Sequence, residues 1–121
     1  MSVEAIAQLR TICLALPEAT EQREGGVGSP SFKVRDKIFA MYHPHQGRPS
    51  MWCKAPRGFQ DMIVSAEPER FFVPPYVGKS GWIGIWLDVE LDWEHIAELV
   101  EESYRMTAPK RLLKLLPQPP S

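Results

Sequence analysis

The chain has 121 residues, 44% hydrophobic and 24% charged, with a formal net charge of −1. That is chain for one compact domain and too little for two, and near-neutrality argues against a strong nucleic-acid binder held by overall charge. No apolar run approaches a membrane span, and the opening MSVEAIAQLR carries Glu4 where a secretory leader would be basic, so a cytoplasmic protein with no membrane partner is expected.

Ser2 is placed to cap a first helix in which Val3, Ile6, Leu9, Cys13 and Leu16 recur at steps of three and four, and Pro17 ends it. PEATEQREGGVGSP is polar and aperiodic with three glycines, which predicts a loop. SFKVRDKIFAMY alternates apolar and polar residues around a reversal near Asp36, a β-hairpin pattern. HPHQGRPS is a second loop, followed by a short strand, SMWCK. After APRG, the stretch FQDMIVSAEPERF predicts a short helix ending before Pro68, and FFVPP is at most an edge strand because proline has no N–H for a ladder. GWIGIWLDV is the clearest strand. Asp92 then caps a long helix, WEHIAELVEESYRM, with Ile96, Leu99, Val100 and Tyr104 on its inner face. APKRLLKLLPQPPS reads as a short basic helix or a covering strap; residues 1–116 make one domain and residues 117–121 are expected to fray. Helices at both ends with strands between predict an α+β two-layer sandwich, an antiparallel sheet with N- and C-terminal helices packed on one face.

Strand alternation then assigns faces. With Phe32, Val34, Met51, Cys53, Ile83, Ile85 and Leu87 toward the helices, Lys33, Arg35, Trp52, Lys54, Trp82 and Trp86 point away, and Lys37 and Phe39 are expected to join them. Residues 31–57 carry six basic side chains against Asp36 alone, net +5, while residues 88–102 carry seven acids and no Lys or Arg. The outer face is thus expected to be basic and aromatic together. Such a face suits base stacking and phosphate contact; it equally suits tryptophans lying under the LLKLL tail or buried in a homodimer.

Other motifs carry less. VGKS lacks the glycine a phosphate-binding loop needs five positions before its GK pair, Val73 standing there, and a strand follows where a helix is required. It reads as a glycine-flanked turn presenting Lys79. His43 and His45 in HPHQ, with His95, lack partners at a metal-binding spacing, so no metal site is expected. Cys13 and Cys53, without CxxC spacing, read as reduced, buried thiols. No nucleophile elbow, HExxH or carboxylate pair in an apolar setting is present, so no catalytic residue is assigned and no cofactor is expected.

LRTICLALPEATE, SFKVRDKIFAMY, PPYVGKSGWIGIWLD and SYRMTAPKRL, in this order and spacing, resemble the MmcQ/YjbR family along nearly the whole chain. The resemblance implies a CyaY-like (frataxin-like) α+β sandwich and a DNA-binding role suggested for a "double wing", and it transfers no catalytic residue. Frataxin-type proteins carry an acidic ridge on the first helix and adjoining strand; here the first helix has only Glu4 and the acids lie on the last long helix, which disfavours iron handling. The expectation is therefore a non-enzymatic binding domain. Lys33, Arg35, Lys37 and Lys54 would contact nucleic-acid phosphates, Trp52, Trp82 and Trp86 would stack on bases, and Tyr76 and Lys79 would lie on the adjoining loop. The alternatives are a protein-interaction module or homodimer burying that face, or a small-molecule or metal-binding protein.

Overall fold

The computed structural model describes residues 3–23 and 29–116. The expected Ser2 cap, the glycines of the first loop and the 117–121 tail lie outside the described residues. The elements are α1 (Val3–Leu14), β1 (Thr20–Arg23), β2 (Pro30–Val34), β3 (Lys37–Tyr42), β4 (Ser50–Cys53), α2 (Phe59–Ala66), β5 (Phe71–Phe72), a 3₁₀ turn (Val77–Ser80), β6 (Ile83–Trp86), α3 (Trp93–Thr107) and α4 (Lys110–Leu113). The strands form one antiparallel sheet in the order β1-β2-β3-β4-β6-β5. One face meets the helices, and the chain is an α+β sandwich as its pattern predicts.

The period-two pattern explains the core. Phe32 and Val34 from β2, Met51 and Cys53 from β4, and Ile83 and Ile85 from β6 pack with Leu9 and Cys13 of α1 and Val100 and Tyr104 of α3. Asp92 caps α3 as expected, accepting from the His95 N–H at 3.2 Å. The Tyr104 hydroxyl donates to the Pro17 carbonyl at 2.6 Å, tying α3 to the end of α1. Cys13 and Cys53 are free and buried, and burial pushes the Cys53 thiol up to about 12, so neither offers a thiolate near neutral pH. Leu112 and Leu116 also enter this core. The LLKLL segment covers the helix side, not the tryptophans.

Two local features depart from the sequence reading. The polarity of residues 17–30 predicts a loop, but Thr20–Arg23 is an edge strand paired with β2. It is polar because only one of its sides is helix-covered, and even there Glu21 is held by Arg10 of α1. The second departure is a bulge in β3. Phe32 pairs with Ala40 and Lys33 with Ile38, leaving Phe39 as an extra residue. Phe39 therefore turns into the core, edge-on to Tyr104 at 5.3 Å between ring centroids, and the phase of β3 inverts before it. Ile38 takes the outer side with Lys33, and Lys37 moves to the helix side opposite Val34.

Candidate functional site

Trp52 and Trp86 do project from the sheet face opposite the helices, but that face is closed over them. The β3–β4 connection is a tight reversal in which His45 and Arg48 exchange backbone hydrogen bonds of 2.9 and 3.0 Å, with Gln46 at φ 54° and Gly47 at φ 74°. This places His43 flat on Trp52, with ring centroids 4.0 Å apart, and His45 parallel to Phe72 at 4.9 Å. Phe72 in turn stacks on Trp86 at 4.2 Å. The Phe72 ring lies over Gly84, where an added Cβ would come within 2.3 Å of it; the glycine is what lets the ring sit flat. Arg48 completes the cover, its guanidinium carbon 3.8 Å from the Trp86 ring centre and its Nε and Nη2 donating to Asp88 at 2.8 and 2.7 Å. The Arg48 bonds hold the Asp88 carboxyl below its ordinary range. Trp52 and Trp86 retain only 3% and 6% of their surface. Bases have no open tryptophan to stack on here. Trp82 precedes β6, is also buried and takes no part in the stack; Gln60 fixes its backbone by donating to the Trp82 carbonyl at 2.7 Å.

The basic residues expected on one face are likewise divided. Lys33 lies on the outer side of β2. Arg35 and Asp36 form the hairpin tip, both with positive φ (52° and 64°), the geometry of a two-residue type I′ turn. Lys37, turned by the bulge, lies with Arg35 in a cleft of about 340 Å³ bounded by Thr107 and Pro109 at the end of α3 and by Arg111 of α4. Glu18 sits at the margin, 3.1 Å from Arg111 and 3.6 Å from Arg35. Lys54 follows β4 and lines a groove beside α3, also on the helix side. The structure thus joins Arg35 and Lys37 to Arg111, and separates them from Lys33 and from all three tryptophans. Arg111 was legible as part of a basic segment, but nothing in the sequence placed it opposite the hairpin. The covering residues His43, His45, Arg48 and Phe72 were missed for the same reason.

Tyr76 and Lys79 occupy the loop between β5 and β6. Tyr76 is 89% exposed at the apex of a γ-turn, φ 65° and ψ −65°, closed by the Val77 N–H donating to the Pro75 carbonyl at 2.7 Å. That conformation is strained for a residue with a Cβ. Lys79 is exposed on the 3₁₀ turn and lines a cleft with Arg57, Gln60 and Asp61. Gln60 donates to the Gly78 carbonyl at 2.9 Å, so VGKS is a braced turn that runs into β6 rather than a phosphate cradle opening a helix. Among the described residues no cluster of three or more His, Cys, Asp or Glu could hold a metal ion, and no helix is long and apolar enough to cross a membrane.

A family model described as YjbR matches residues 14–106, from the end of α1 through nearly all of α3. The chain belongs to the YjbR family. Uncharacterized protein YjbR of Escherichia coli strain K12 is 27% identical over 120 residues, covering 93% of this chain and 98% of the relative, and the protein of Escherichia coli O157:H7 matches to the same extent. The YjbR fold assignment agrees with a solved structure, protein DR2400 of Deinococcus radiodurans with its DUF419 domain. It superposes with a TM-score of 0.75 at 22% identity, over 94% of this chain and 88% of that one. Both Escherichia coli relatives carry the name uncharacterized protein.

Proposed function

We propose that this YjbR-family chain is a non-enzymatic binding domain that holds a polyanion, nucleic acid first among the candidates, in the cleft between the β2–β3 hairpin tip and α4. The observation that supports this reading is the convergence of Arg35, Lys37 and Arg111 on an open cleft, where the carboxylate at the margin, Glu18, pairs with Arg111 and Arg35 and leaves the cations in excess. Three cations spaced around a concave surface suit successive phosphates of a backbone. Thr107, which also lines the cleft, supplies a hydroxyl, although its Oγ1 is engaged by the Ser103 carbonyl. With the tryptophans covered, the contact is to the phosphate backbone and not to bases, so duplex should bind at least as well as single strands.

Fluorescence anisotropy with labelled duplex DNA over a salt series tests this. Three phosphate contacts predict a slope of log affinity against log salt of about −2.7, with affinity micromolar or weaker near physiological salt. The variant carrying Arg35→Asn, Lys37→Ala and Arg111→Ala should flatten the slope, asparagine being chosen because it tolerates the positive φ of the turn. Lys33→Ala, on the opposite face, should leave the slope unchanged. Absence of binding at low salt, or an unaltered slope in the triple variant, would overturn the reading.

A further inference from the structure

The β3–β4 ladder ends where α3 inserts a buried serine. Ser103 Oγ accepts from the Lys54 N–H at 2.9 Å and donates to the Phe39 carbonyl, so the backbone of Lys54 is pinned to the helix and not to a neighbouring strand. From there Lys54 lines a groove of about 450 Å³ running between the start of α2 and α3. Pro56, Phe59 and Leu99 give that groove apolar walls, while Glu98 and Glu102, one turn apart on α3, give it an acidic rim. Lys54 is partly buried, and no ion pair satisfies it among the described residues. Burial, and then the neighbouring Lys37, hold its ammonium below the usual lysine range.

We propose that this groove is a small-molecule site for an apolar carboxylic acid that also bears a hydroxyl or amino donor. The carboxylate would pair with Lys54, the apolar body would lie against Phe59 and Leu99, and the donor would meet Glu98 or Glu102. Each part answers a feature of the groove. A partly desolvated cation without a counter-ion favours an anion more than a fully hydrated one does. Apolar walls with a few convergent polar groups are the usual composition of ligand sites. The paired glutamates oppose a phosphate-rich polyanion far more than a ligand with a single carboxylate aimed at Lys54 and a donor aimed at them, which separates this groove from the cleft at the hairpin tip; the proposal stands independently of nucleic-acid binding there.

The test is a two-dimensional ¹⁵N–¹H titration with 3-phenyllactate, using its primary amide as the uncharged control. Binding should be weak, with a dissociation constant on the order of millimolar or somewhat tighter, and should move the amide signals of Ala55, Phe59 and Leu99. The acid should bind about tenfold more tightly than the amide, the scale of one charge-assisted hydrogen bond. Lys54→Met keeps the apolar stem and should erase that preference, whereas Phe59→Ala should weaken both ligands alike. Equal binding of acid and amide by the unaltered protein overturns the proposal, as does a preference that survives Lys54→Met. Shifts confined to other surfaces, or none at tens of millimolar, overturn it as well.

Discussion

Glu21 accepts from Arg10 at 2.7 and 3.0 Å and from Arg23 at 2.9 Å, so one carboxylate fastens α1 to the sheet edge. The Arg10 bond, more than the Arg23 bond, lowers its pKa from 4.5 to about 2. A carboxyl whose folded pKa lies below its unfolded one adds stability above the unfolded value, and that stability drains as pH falls toward the folded one. Thermal midpoints should therefore decline between pH 4.5 and about 2, and Glu21→Gln should lower the midpoint at neutral pH while flattening the decline. A variant that keeps the full acid sensitivity would show that another group governs it. Gly84 makes the second prediction at this scale. Gly84→Ala places a methyl group into the Phe72 ring, and overpacking of this kind costs about 1–3 kcal/mol. Denaturant unfolding should show that loss, and Phe72→Leu in the same chain should recover part of it. An unchanged midpoint in Gly84→Ala would mean the ring is free to leave.

At the scale of elements, helices and central strands could be read because burial repeats along them. α3 shows Ile96, Val100 and Tyr104 on one side with an N-cap before it, and β6 alternates Ile83 and Ile85 with Gly84 and Trp86. What could not be read depended on partners distant in sequence. β1 is a strand because β2 pairs with it, not because TEQR favours one. The bulge at Phe39 is set by Phe39 meeting Tyr104 and by Ser103 taking its carbonyl, contacts across more than sixty residues. That one extra residue moved Lys37 from the expected outer face to the cleft, so a local irregularity changed the composition of the site. The C-terminal segment allows a direct comparison: Leu112 is fully buried and Leu115 is 66% exposed. Leu112→Ala should destabilise by about 2–4 kcal/mol, and Leu115→Ala by less than about 0.5 kcal/mol. Equal effects in urea unfolding would mean that α4 does not dock as described.

For the whole molecule, the cations of the hairpin tip and the tryptophan layer are kept apart. The tryptophans close an apolar layer on one side of the sheet, sealed by the chain's own His43–Arg48 turn and Phe72. Cations collect at the hairpin end near the C-terminus of α3, and the acidic run extends from Asp88 to Glu102, about two-thirds of the way along that helix. The sequence held both compositions, but alternation alone merged them into one surface because it carried no information on the bulge or the covering turn. The same ¹⁵N–¹H spectra, recorded during titration with a short DNA duplex at low salt, separate the two arrangements. The amides of Arg35, Lys37, Thr107 and Arg111 should shift, with the indole N–H signals of Trp52 and Trp86 unmoved. Shifts of those indoles with the hairpin-tip amides unmoved, or stronger binding of single strands than of duplex, would contradict this arrangement.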